Sequence, residues 1–98
     1  MLKNSKAKGS RNEKKTITYF EKRGYWCIKA GGSLGVWDVV GVGREPGTGG
    51  VLVQVKSNGW PGTVEMTTLR EFKCDPTFKR LVHRWDDFAR EPKVREID

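Results

Sequence analysis

Two apolar runs in this chain carry polar residues that an ordinary core strand would reject. In Val51-Leu52-Val53-Gln54-Val55-Lys56-Ser57, strand alternation puts Val51, Val53 and Val55 on one face and Leu52, Gln54 and Lys56 on the other. An amide beside an ammonium on such a strand needs a partner or a task, because unpaired burial of either is expensive. The run Val36-Trp37-Asp38-Val39-Val40 holds one acid in the same way. If these strands are neighbours, about 4.8 Å apart, Asp38 can meet the Gln54/Lys56 face. A helix packed on them can bring Glu13 to the same spot. Two carboxylates, a side-chain amide oxygen and backbone carbonyls are oxygen donors suited to Mg²⁺ or Mn²⁺. Lys56 could then orient or deprotonate a water, or steady charge developing on a phosphate. Singly, each residue has a plainer role: Asp38 at a bulge or in an ion pair, Gln54-x-Lys56 on a solvent face, Glu13 as a helix-capping acid, Ser33 in a turn. Their combination in a basic chain is what points to a site.

The elements that must position them are legible in outline. Ser10-Arg11-Asn12-Glu13 has the form of a capping box and predicts a helix over Ser10–Arg23, closed by Gly24, with Glu13, Ile17 and Phe20 along the packed face. Strands are expected at Tyr25–Ala30, Val36–Val42 and Val51–Ser57, separated by the glycine loop Gly31–Gly35 and the polar, glycine-rich connection 43–50. Thr68-Leu69-Arg70-Glu71 again resembles a capping box and predicts a short helix ending near Asp75-Pro76. Lys79–Trp85 alternates as a strand does, and Val94–Ile97 suggests an edge strand. Helix, three-strand meander, helix and one or two strands make an α/β or α+β fold, a single domain over residues 1–98 with a mixed central sheet flanked by helices. Ninety-eight residues suffice for one modest core.

The formal charge of +7 points to a polyanionic partner, usually nucleic acid. Much of it lies at the N-terminus, where Lys3, Lys6, Lys8, Arg11, Lys14 and Lys15 face the single acid Glu13, and residues 1–8 read as a basic arm. Lys6, Lys8, Arg11, Lys14, Lys15 and Arg44 are the candidate phosphate contacts. Trp60, in a Pro/Gly loop, is placed to stack on a base or to fill a subunit interface. Cys27 and Cys74 form no CxxC and His83 is the only histidine, which argues against a zinc site and for reduced thiols. No apolar run is long enough for a membrane span, and no apolar core follows the basic start as a secretory signal would need, so the cytoplasm is the expected compartment. No feature calls for an organic cofactor.

The order Lys8-Gly9-Ser10-x-x-Glu13, Gly24-Tyr25, Gly31-Gly32-Ser33, Asp38 and Gln54-Val55-Lys56-Ser57 resembles the archaeal-type Holliday junction resolvases of the PD-(D/E)XK nuclease superfamily. The likeness spans about residues 6–72. Val82-His83-Arg84-Trp85 and Pro92-Lys93-Val94-Arg95-Glu96 look like the tail of short phage or bacterial relatives. The resemblance implies a restriction-endonuclease-like fold and a Mg²⁺-dependent homodimer that binds four-way DNA junctions and nicks two opposed strands, in a prokaryotic or phage-infected cell. It implies that Glu13 supports the metal site, that Asp38 and the Val55 carbonyl bind the ion, that Lys56 is catalytic, and that Ser33 lies near the scissile phosphate. Gln54 takes the place of the second metal-binding acid. Two departures stand out: Trp37 replaces the proline that names the superfamily, and Gln54 is neutral where a charged ligand is usual. Two other readings therefore stay open, a nuclease of the same fold acting on flaps or linear duplex, and a junction-binding protein without activity.

Overall fold

The computed structural model describes residues 5–32 and 34–98, with the side chains of Ser5 and Lys6 outside that description. The expectations placed on Ser33 and on the Lys6 side chain therefore lie outside the described residues, as do residues 1–4 of the basic arm.

Seven elements follow one another: α1 (Ser5–Glu21), β1 (Tyr25–Lys29), β2 (Val39–Gly43), β3 (Gly50–Ser57), α2 (Thr63–Glu71), β4 (Phe78–Trp85) and β5 (Lys93–Glu96). The strands form one sheet in sequence order, and only β3 and β4 run parallel. The architecture is α+β rather than α/β, because α2 makes the one crossover a parallel pair requires and the other strands follow as antiparallel neighbours. β3 sits in the middle, where its β-branched run is buried on both faces. Phe20, Val39, Val51, Val53 and Leu81 pack on the α1 side. Trp37, Leu52, Met66, Leu69, Val82 and Ile97 pack on the α2 side. Full burial of residues such as Leu69 and Val82 stabilises the fold by about 1.5–3 kcal/mol each.

Both expected capping boxes prove to be helix interior. α1 begins at Ser5, so Ser10 and Glu13 are not cap residues, and Ser5–Lys8 belongs to the helix. Tertiary anchors explain the extension: Lys8 Nζ lies 2.7 Å from an Asp87 carboxylate oxygen, and Lys29 Nζ donates to Ser10 Oγ at 2.8 Å. The packed stripe is also rotated from the expected one. Asn12, Thr16 and Phe20 are buried, while Glu13 and Ile17 flank them half-buried. Glu13 thus stands at the edge of the packed face, reachable from outside. α2 begins five residues before the expected Thr68, at Thr63 behind Gly62, without a side-chain cap. Thr67 and Thr68 bond back to the carbonyls of Thr63 and Val64, a mid-helix pattern. The other end is closed by Arg80, whose Nη1 donates to the carbonyls of Leu69, Arg70 and Phe72 at 3.0, 2.8 and 3.1 Å.

Among the described residues no helix is long and apolar enough to cross a membrane. Cys27 packs under α1, where burial and then the Glu21 carboxylate push its thiol up to about 11, whereas Cys74 is exposed. At pH 8 only about one Cys27 in a thousand is thiolate, the reactive form. A brief iodoacetamide pulse should therefore alkylate Cys74 first. Peptide mass spectrometry showing equal labelling would contradict the burial of Cys27.

Candidate active site

Asp38 occupies the fork where β2 starts beside β3. Its N–H donates to the Val53 carbonyl at 2.9 Å, and its own carbonyl accepts from Ala30 N–H at 2.9 Å. Its Oδ2 accepts the Val55 N–H at 2.8 Å. β2 begins one residue later than the acid, so a side-chain oxygen receives an N–H that the ladder no longer serves. A residue's N–H and C=O leave a strand by the same edge, so the Val55 carbonyl opens on this fork too. Trp37 fixes the approach: it is 1% exposed and meets Phe72 edge-on at 5.6 Å. The bulky residue before Asp38 is thus a core anchor.

α1 brings Glu13 to the same fork. Its carboxyl is raised above the usual carboxylate value by burial first and then by the charge of Asp38, against which Lys29, 3.8 Å away, works. Asp38 is raised as well, by burial above all, with the Val55 N–H and Lys56 opposing and Glu65 adding to the rise. Two acids are therefore held together in a place that disfavours their ionised forms, an arrangement a bound cation would relieve.

Gln54 and Lys56 approach from the α2 side. Gln54 is 6% exposed; its Nε2 donates to the Val36 carbonyl at 3.4 Å and to Glu65 Oε2 at 3.5 Å, at the outer limit of bonding. Its Oε1 is buried with no partner among the described residues. Lys56 Nζ lies 3.3 and 3.4 Å from the two Glu65 carboxylate oxygens. No three His, Cys, Asp or Glu side chains among the described residues form a group able to hold an ion. What converges instead is a pair of carboxylates with neutral oxygens beside them and lysines around them.

Two members of this cluster escape a reading of the sequence. Lys29 was discoverable, since alternation along β1 puts it on the α1 face with Tyr25 and Cys27. Glu65 was not, because it faces β3 only if the helix starts at Thr63, and no cap residue marks that start.

The sequence matches no protein-family model and no curated protein. Among solved structures it is similar to Hjc, a Holliday junction resolvase from the archaeal hyperthermophile Archaeoglobus fulgidus, with a TM-score of 0.70 and 19% identity, over 92% of this chain and 73% of that one. The chain has the fold of Hjc. At this identity the likeness carries the architecture alone.

On this Hjc-like fold the expected phosphate contacts are scattered. Arg44 follows the far end of β2 from Asp38, about 20 Å along the chain at strand rise, and its Nη2 donates to the Glu21 carbonyl at 3.1 Å. Lys8 is held by Asp87. Arg11, Lys14 and Lys15 are exposed on α1. Lys14 and Lys15 line an open groove of about 450 Å³ with Lys22, Arg23 and Arg90, the last three not anticipated. Trp60 is half-buried against the core, its ring faced by Arg95 at 4.3 Å and Arg84 at 5.5 Å. Stacked guanidiniums of this kind can also meet phosphates.

Proposed function

We propose that the protein is a metal-dependent endodeoxyribonuclease that acts on four-way DNA junctions as a homodimer. The convergence of Glu13, Asp38, Gln54 and Lys56 at one fork, on the fold of a resolvase, is the observation that carries this reading. The donor set suits a hard cation: Asp38 and Glu13 would supply charge, and the unpartnered Oε1 of Gln54 and the Val55 carbonyl would supply neutral oxygens. Mg²⁺ or Mn²⁺ bound there would polarise the scissile phosphate and lower the pKa of an attacking water. The chain's own contribution is positional. The Val55 N–H fixes the Asp38 carboxylate, the Ser10–Lys29–Glu13 contacts tie α1 to β1, and Lys56 holds an ammonium beside the acids, where it can stabilise charge growing on the phosphate.

The net charge of +7 and the basic groove on α1 supply the phosphate attraction that shape-based recognition needs, and affinity should fall steeply with salt. Trp26, Ile28 and Val42 are 63, 68 and 48% exposed on the sheet face opposite α1, apolar area of the kind a second copy of the chain would cover.

The test is incubation of the purified protein with an end-labelled four-way junction, a flap and the matching linear duplex in Mg²⁺. Paired nicks in opposed arms, with duplex left intact, are expected. Comparable cutting of flap or duplex would assign a different substrate. Junction binding without product in Mg²⁺ or Mn²⁺ would remove the enzymatic reading.

A further inference from the structure

Resting on that nuclease reading, we infer that Glu65 is a positioning residue that restores to the neutral Gln54 the function of a metal-binding acid. Gln54 has two possible orientations of its amide, and its surroundings select one. Nε2 points at two acceptors, the Val36 carbonyl at 3.4 Å and Glu65 Oε2 at 3.5 Å. Turning the amide over would set Oε1 against two oxygens that carry no proton. The N–H end is therefore turned toward Glu65 and the Val36 carbonyl, and Oε1 is left buried, without a partner among the described residues and available as a ligand.

The second effect is electronic. An amide that donates to a carboxylate is polarised, and negative charge moves onto its oxygen. Glu65 thus supplies from outside the ligand set part of the charge that a glutamine lacks. The same carboxylate lies 3.3 Å from Lys56 Nζ, so one acid on α2 fixes both polar residues on this face of β3. Three residues form a unit in which Gln54 would hold the ion, Lys56 would face the phosphate, and Glu65 aims both. Glu65 is half-exposed and contributes little to the core, so its replacement leaves the fold intact.

The test is a cycle of four full-length proteins, the parent, Glu65→Gln, Gln54→Glu and the double variant, with Asp38→Asn as a fifth, each titrated with Mn²⁺ alone and followed by the electron paramagnetic resonance of the free ion. Thermal unfolding without metal serves as the control. Loss of an outer-sphere partner weakens metal binding about 10- to 100-fold, and Glu65→Gln should do so in the parent. In the Gln54→Glu background the same change should leave Mn²⁺ affinity unchanged or raise it, because Glu65 would there oppose a second carboxylate. Equal weakening in both backgrounds, or no weakening in either, would overturn the inference. Parent binding that Asp38→Asn weakens but Glu65→Gln does not would remove Glu65 and leave the site standing. A parent that binds no Mn²⁺ would overturn both.

Discussion

Asp38→Asn should lower junction cleavage by about a thousandfold, about 4 kcal/mol of barrier, while leaving the unfolding temperature unchanged or higher. The two halves of this expectation come from the same geometry. The loss follows because Asp38 is the acid at the centre of the fork, and a carboxylate that anchors a metal underlies several kcal/mol of transition-state stabilisation. The retained stability follows because an Asn oxygen can still accept the Val55 N–H that Oδ2 takes at 2.8 Å. Removing the charge also relieves what the fold now tolerates, a half-buried carboxylate beside Glu13 and Glu65. The sign is fixed by linkage. A carboxyl whose folded value lies above its ordinary one binds its proton more tightly folded than unfolded, so ionising it at neutral pH destabilises the protein. Quantitative cleavage assays and thermal unfolding of the same preparation check both halves. A variant that cuts at the parental rate would dismiss Asp38 as the central ligand. One that is inactive because it no longer folds would show that the acid holds the fork together structurally.

Asp38, Gln54 and Lys56 stand out in the sequence because each breaks the pattern of its own apolar run, though only their combination points to a site. Asp38 interrupts an apolar run, and Gln54 and Lys56 sit on a face that Leu52 marks as buried. The central strand was legible for a complementary reason, since the valines of Val51–Val55 leave little choice but a strand covered on both faces. The helix starts were not legible. Ser10-x-x-Glu13 and Thr68-x-x-Glu71 both have the form of a cap. The first is overridden by contacts to Asp87 and Lys29, which lie 79 and 19 positions further along the chain from Lys8 and Ser10. The second is overridden by a helix that begins at an uncapped glycine. Those two starts decide how Glu13 meets the sheet and whether Glu65 meets it at all. The polar groups around His83 were hidden in the same way, since Thr16 and Trp85 meet across nearly the whole chain.

Charging of His83 should cost the fold about 3 kcal/mol as the pH drops through 6.5 to 4. The ring is fully buried, with Phe20 stacked on it at 4.9 Å and Tyr19 edge-on at 4.8 Å. Trp85 Nε1–H donates to Thr16 Oγ1 at 2.8 Å, and the same hydroxyl is hydrogen-bonded to His83 Nδ1, 3.2 Å away. The other ring nitrogen, Nε2, is buried without a partner among the described residues. Burial first and the nearby Arg23 second disfavour the charged ring, and its value is pushed down from 6.5 to about 4. A histidine depressed in this way contributes stability that is complete above its ordinary value and is lost as the pH falls toward the depressed one. At about 1.4 kcal/mol per unit, the loss approaches 3 kcal/mol near pH 4, a large share of the 5–15 kcal/mol typical of a small domain. Glu13 and Asp38 act in the opposite direction over part of this range, since acid neutralises two carboxyls that the fold holds against their charge. Urea unfolding at pH 7, 5.5 and 4 should therefore be run in the Asp38→Asn background as well, where one opposing acid is gone and the decline should be steeper. Proton NMR of the single imidazole separates the two effects directly. A ring that charges near 6.5 would show that His83 is not sealed beneath α1. The helix that brings Glu13 to the fork would then lie less tightly on the sheet than its contacts with Thr16 and Phe20 require.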